Sequence, residues 1–201
     1  MTKTPANMID IFLQPGDFYF GDKHTRIRTL LGSCVSIAMW HPARQIGGMC
    51  HFLLPTRGEK RTANLDGRYG DEAILMFFRE AVRYNSHPSE YIIKVFGGGK
   101  MFAGVSARAP CHERPCEEVI HRCQNVSCRN ATQSISLLQN VGLSVDSHDL
   151  GGKASRNVIF DISNGKVWVR KNEKVEMQGT TNVQGPRSTI NRDCKTGTLH
   201  E

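Results

Sequence analysis

A thiol and an imidazole are the two groups in this chain whose settings suit them for chemistry. Cys34 follows a Gly-Ser turn in Thr29-Leu-Leu-Gly-Ser-Cys34-Val-Ser-Ile-Ala-Met-Trp40, and His51 stands in the apolar run Gly47-Gly-Met-Cys-His51-Phe-Leu-Leu-Pro55. A free thiol with its ordinary pKa of about 8.5 supplies little thiolate at neutral pH. A neighbouring imidazole removes the proton, and the sulfur then attacks an acyl carbon. The negative charge that develops on oxygen needs donors already in place, and backbone N–H groups at the Gly32-Ser33-Cys34 bend are the candidates. The imidazole in turn needs a partner that fixes which nitrogen carries the proton. A hydroxyl at Thr29 or Ser33, or a backbone carbonyl, would serve. From pattern alone, a cysteine in an apolar strand is more often an inert core residue, and a lone histidine there is more often a hydrogen-bonded core group. Cys50 is the poorer nucleophile, because neighbours in a strand point to opposite faces.

The elements that must bring these groups together are mostly β. Ile9–Phe12 and Phe18–Phe20 read as strands around the turn at Pro15-Gly16. Residues 26–40 read as one strand bent at Gly32, and His41-Pro42 begins a turn that returns through Gly47-Gly48 into a strand over 48–54. If those two strands pair, Cys34 and His51 come within reach of each other. The polar stretch 55–69 reads as a long surface loop, a length that often marks a lid or rim. Asp71 to Tyr84 has apolar residues at helical spacing, acids at its start and arginines near its end, which predicts a helix. Tyr91–Phe96 reads as a strand ending in Gly97-Gly98-Gly99, Asn130–Asn140 as a helix stopped by Gly142, and Leu143–Val145 as a strand. Asp149–Lys153 reads as a turn, and two alternating runs around Asn164-Gly165 predict a hairpin.

The chain has 201 residues and a formal charge of +7, which suits one domain with a tail. Residues 1–175 form the domain in this reading, and the polar 176–201 a flexible tail. Lys23, Arg26, Arg28, Lys60, Arg61, Lys166, Arg170, Lys171 and Lys174 are scattered, without the clustered patch or stripe that marks a nucleic-acid binder. No apolar run reaches the roughly 18 residues of a membrane helix, and the N-terminal segment lacks the apolar core of a signal peptide. With seven cysteines, an odd number, a reducing cytoplasm is the expected location, with thiols rather than disulfides.

The order of several motifs resembles the CheD family of chemoreceptor glutamine deamidases. To the two segments above are added Arg68-Tyr-Gly-Asp-Glu-Ala73, Phe96-Gly-Gly-Gly-Lys-Met-Phe102, Cys128-Arg-Asn130, Asp149-Leu-Gly-Gly-Lys-Ala-Ser-Arg156 and Asn164-Gly-Lys-Val-Trp-Val-Arg170. Together they cover about residues 10–171 apart from an insert. The resemblance implies an α+β fold, with β-sandwich-like, mostly antiparallel sheets flanked by two or three helices, related to bacterial toxin deamidases. It implies a hydrolase that converts receptor glutamines to glutamates with release of ammonia, and needs no cofactor or metal. Cys34 and His51 are then the catalytic pair and Thr29 their third member, with Ser33, Gly98 and Gly99 at the substrate. Implied partners are methyl-accepting chemotaxis receptors and, in some organisms, a CheC-type phosphatase. A non-catalytic adaptor that binds the same partners is the alternative.

The insert, about 107–127, departs from the family pattern. Cys111, His112, Cys116, His121, Cys123 and Cys128 lie close together with Cys-x4-Cys spacings. A zinc site needs four ligands, usually in two close pairs, and a shell that holds them. No core surrounds this cluster, so it is read as a surface loop with reduced thiols.

Overall fold

The computed structural model describes residues 8–58, 64–100 and 125–172. The tail at 176–201 and nearly all of the cysteine-rich insert lie outside these residues.

The described chain forms three layers. A four-stranded sheet has the order β1-β3-β8-β9, and a five-stranded sheet the order β2-β5-β4-β6-β7. The strands are β1 (Ile9–Leu13), β2 (Phe18–Asp22), β3 (Thr25–Leu31), β4 (Val35–His41), β5 (Ile46–Cys50), β6 (Ile92–Gly97), β7 (Ser147–Leu150), β8 (Ser155–Asp161) and β9 (Lys166–Asn172). All pairings are antiparallel except β1 with β3 and β6 with β7. Two helices, α1 (Gly70–Arg83) and α2 (Val126–Asn140), complete the α+β fold.

Two cores follow from this layering. Leu13, Ile27, Leu31, Ala38, Met49, Phe96, Val158 and Phe160 fill the space between the sheets. Val35, Ile37, Met39, Cys50 and Phe52 face the other way, onto Ala73, Ile74 and Phe77 of α1 and Leu138 of α2. β4 is therefore covered on both faces, which is why its residues are mostly apolar without alternation and why Ser36, buried among them, donates to the Cys50 carbonyl. β3 alternates instead, with Thr25, Ile27, Thr29 and Leu31 buried. The segment 26–40 is thus two strands in different sheets and not one bent strand. Alternation ends at Leu31, continuous burial begins at Val35, and Gly32-Ser33-Cys34 carries the chain across.

Three other expectations change. The strand expected over 48–54 is assigned only to Ile46–Cys50, although Phe52 still pairs with Val35. The expected strand at Leu143–Val145 is absent, and β7 lies further on at Ser147–Leu150. Leu143 is apolar for another reason. Gly142 (φ +77°) closes α2 by donating to the Gln139 carbonyl, while the Leu143 amide donates to Leu138. This Schellman closure brings the residue after the glycine onto the last helical turn, where Leu143 and Leu138 are both buried. Finally, α2 begins a turn before Asn130. The Asn125 side chain accepts from the Ser127 and Cys128 amides at 3.0 and 3.3 Å, an N-cap that starts the helix at Val126.

Candidate active site

The Cys34 bend sits at the crossing between sheets, with each of its carbonyls held. The Gly32 carbonyl accepts from the Gly99 amide at 2.8 Å, and the Cys34 carbonyl accepts from the Gly98 amide at 2.8 Å. Between them, the Ser33 carbonyl accepts from Asn130 Nδ2 at 2.9 Å. In a trans peptide the N–H points opposite to the C=O, so the Ser33 and Cys34 amides are turned away from these supports. Neither finds an acceptor among the described residues.

His51 is fixed through its backbone and its ring. Its amide donates to the Asp17 carbonyl at 2.9 Å, and its carbonyl accepts from the Gly16 amide at 2.7 Å. Val35 and Phe52 form a two-hydrogen-bond rung between the strands, with N···O distances of 3.1 and 2.9 Å. That register sets Ser36 across from His51 and Cys34 across from Leu53. Cys34 and His51 are therefore diagonal neighbours on one face, a separation side chains can bridge. The face looks toward the other sheet, where Thr29 of β3 meets the ring.

Thr29 decides the histidine tautomer. Its hydroxyl lies 2.9 Å from the Leu13 carbonyl and 2.8 Å from His51 Nδ1. A carbonyl can only accept, so the single hydroxyl proton goes to Leu13 and the oxygen accepts from Nδ1–H. Nε2 is then the bare nitrogen, buried and without a hydrogen-bond partner among the described residues. Burial lowers the His51 pKa below its ordinary 6.5, against the raising influence of the Leu13 carbonyl and Asp17. Burial also raises the pKa of the Cys34 thiol, partly opposed by a hydrogen bond with the Ser33 side chain. Both shifts favour a neutral thiol beside a neutral imidazole at rest. Cys50 faces the helical core, fully buried, its thiol pushed up to about 12, as its place beside His51 led us to expect.

Gly98 and Gly99, expected at the substrate, lie against the Cys34 bend. Both are buried, and their amides are spent on the Cys34 bend rather than turned to a ligand. A Cβ at Gly97 would lie 2.2 Å from the Cys34 carbonyl oxygen, so close approach of the two backbones requires glycine there. Behind Gly99, Arg156 is buried to 2% exposure. It donates to Asp149 Oδ1 at 2.8 Å and to the carbonyls of Gly151 and Ala154 at 2.6 and 3.1 Å. Burial raises the Asp149 pKa, but Arg156 and Lys171 outweigh it and leave the carboxyl below its ordinary value. The Gly151-Gly152 turn, Arg156 and Gly99 thus form one buttress under the bend.

Sequence reasoning placed Cys34, His51 and Thr29 in a common site, and the structure brings Thr29 and His51 into contact. It gave no site role to Asn130. The signal was present as a stripe of small polar residues at helical spacing: Ser127, Asn130 and Ser134 are all buried on α2. Among the described residues no group of His, Cys, Asp and Glu could hold a metal ion, and no helix is long and apolar enough to cross a membrane.

A two-sheet α+β scaffold thus carries a cysteine at the sheet crossing and a histidine whose hydroxyl-bonded ring leaves one nitrogen bare. The chain belongs to the CheD family: the family model described as CheD chemotactic sensory transduction matches residues 53–171. That match begins just beyond His51, and similarity to individual proteins extends further. The chain is 45% identical over 167 residues to a probable chemoreceptor glutamine deamidase CheD of Pseudomonas savastanoi pv. phaseolicola, covering 83% of this chain and 87% of that one. It is 40% identical over 185 residues to the protein of the same description from Pseudomonas syringae pv. syringae, covering 92% and 97%. A probable chemoreceptor glutamine deamidase CheD 1 of Leptospira interrogans is 35% identical over 175 residues, covering 86% and 99%.

Proposed function

We propose that this protein is a chemoreceptor glutamine deamidase, in which Cys34 is the nucleophile, His51 the general base and acid, and Thr29 the residue that orients the imidazole. The observation that carries the mechanism is the tautomer imposed by Thr29, because it leaves Nε2 free on the face shared with Cys34.

In the proposed reaction the Cys34 sulfur attacks the side-chain amide carbon of a receptor glutamine while His51 Nε2 takes the thiol proton. Neutral partners at rest mean that proton transfer accompanies attack. The amide oxygen becomes an oxyanion, and the Ser33 and Cys34 N–H groups are the donors available to it. Imidazolium then gives its proton to the amide nitrogen, ammonia leaves and a thioester remains. Water attacks the thioester with His51 as base, releasing glutamate and the thiol. Ser33 contributes to substrate contact through its amide, whereas Gly98 and Gly99 act from behind the bend. No cofactor is needed. Chemotaxis receptors are the proposed substrates, in the cytoplasm, and a CheC-type phosphatase is a proposed partner on the strength of the family resemblance alone.

Mass spectrometry of a receptor signalling domain, before and after incubation, tests the reading. Wild-type protein adds about 1 Da at selected glutamines and releases ammonia, as amide-to-acid chemistry requires. Cys34→Ala abolishes both while the fold and receptor binding persist. Turnover by Cys34→Ala would remove Cys34 as nucleophile. Receptor binding without turnover by the wild type would leave an adaptor.

A further inference from the structure

We propose that Asn130 is a positioning residue that sets the spacing and angle between the Cys34 thiol and the His51 imidazole. The inference rests on the proposed roles of those two groups and adds a residue from a third element, α2.

Asn130 is wholly buried. Its Nδ2 donates to the Ser33 carbonyl at 2.9 Å and to the Leu53 carbonyl at 2.8 Å. These acceptors flank the reacting groups: Ser33 precedes Cys34, and Leu53 is two residues past His51. The register also sets Leu53 across from Cys34. The backbone rung at Val35 and Phe52 lies one residue inward. In an antiparallel ladder the next rung would join Ser33 and Leu54, and it is not made: the Leu54 amide donates instead to the Arg68 carbonyl at 3.1 Å. Asn130 supplies the missing rung. One amide nitrogen ties the two strand ends together where the nucleophile and base project.

The chemistry of the side chain is specific to this task. Both acceptors are carbonyls, so only the NH2 end can face them. The opposite oxygen, Oδ1, is left buried with no partner among the described residues. Leaving a buried acceptor unpaired is unfavourable, and an apolar residue would fill the same space without that cost. The two donated hydrogens are what the position gains in exchange.

Asn130→Asp is nearly isosteric and tests the donor alone, because an ionised carboxylate would face two carbonyls and repel both. Displacements near 1 Å at a reacting centre lower rates by about 100-fold. The expected result is a kcat about 100-fold below wild type, with KM changed by less than about threefold, in protein that melts cooperatively. As pH falls from 8 to 6, the ratio of mutant to wild-type kcat rises, because a protonated carboxyl regains one donor. A second readout needs no substrate. Iodoacetamide labelling of the Cys34 peptide, followed by mass spectrometry, slows in wild type when His51→Gln removes the base, and the same change has no effect in the Asn130→Asp background. Should Asn130→Asp fail to fold, Asn130→Ser, which adds no buried charge, carries the same expectation for both readouts except the pH recovery. A folded variant with kcat within threefold of wild type overturns the proposal. So does a folded variant in which labelling retains its full dependence on His51. If wild type does not deamidate receptors while the labelling coupling behaves as expected, the functional reading fails and the positioning role stands.

Discussion

Replacing Thr29 by valine removes the hydroxyl at nearly constant volume and isolates the hydrogen bond that sets the imidazole. In the native protein the hydroxyl donates to the Leu13 carbonyl and accepts from His51 Nδ1. Valine removes both hydrogen bonds of the hydroxyl from a buried site, and with the Leu13 carbonyl still near the ring the destabilisation is about 1–3 kcal/mol. At about 2–4 °C per kcal/mol for a chain of this size, Tm falls by several degrees. The catalytic loss comes from the tautomer. A neutral hydrogen bond contributes about 1–1.5 kcal/mol, so its removal shifts the tautomer ratio by up to about tenfold toward the form protonated on Nε2, which cannot act as base. Freer rotation of the ring adds a comparable factor. The Leu13 carbonyl still stands near the ring, which holds the total to between about 10- and 100-fold in kcat, with KM little changed. The assay is the initial rate of ammonia release on a receptor signalling domain, alongside a thermal melt. Thr29→Ser, which keeps the hydroxyl, retains most activity. A folded Thr29→Val protein with wild-type kcat and an unchanged pH profile would refute the tautomer argument.

Other outcomes follow from the same geometry. His51 has a folded pKa below 6.5, so kcat/KM is level near neutrality and declines only as pH falls through that lower value, measurable by initial rates across buffers. The sign for stability is the same. A buried neutral histidine contributes fully above the unfolded value of 6.5 and the contribution is lost as pH falls below it, which urea titrations on wild type and His51→Gln would resolve. The raised Cys34 pKa predicts that iodoacetamide labelling of its peptide still accelerates above pH 9, whereas a preformed thiolate–imidazolium pair would give a plateau near neutrality. Gly97→Ala places a methyl group against the Cys34 carbonyl at a φ of +119°, a backbone strain of about 1–3 kcal/mol before the clash is counted. Turnover by that variant is expected to fall more than its melting point suggests. Gly142→Ala, also at positive φ but with nothing within 4 Å of the new Cβ, loses stability alone.

The sequence disclosed the reactive groups more readily than what holds them. Cys34 and His51 stand out because each interrupts an apolar run with a side chain that can do chemistry. Thr29 is legible from β3, whose alternation turns Ile27, Thr29 and Leu31 inward together. A slip of one residue would have sent the hydroxyl to solvent. The layered α+β arrangement follows from strands of alternating and continuous burial beside one strongly amphipathic helix. What stayed hidden depends on contacts distant in the chain. A capping asparagine at Asn125 begins α2 where local composition looked like insert, and a Schellman closure turned Leu143 into a staple that resembled a strand. Asn130 makes hydrogen bonds 97 and 77 residues away, and no local pattern announces that kind of partner. The glycines at 97–99 could be read equally as a ligand loop or a tight strand end, and nothing local in three successive glycines announces the Cys34 bend that the Gly98 and Gly99 amides hold.

Thr29 belongs to one sheet while Cys34 and His51 are carried by the other, so the hydrogen bond between Thr29 and His51 spans the seam of the sandwich. Rate and rigidity are therefore coupled at long range. Anything that loosens the stacking of Ile27, Leu31, Met49 and Phe160 between the layers also slackens the ring against its hydroxyl, and turnover would report wear in the interior well before the molecule comes apart.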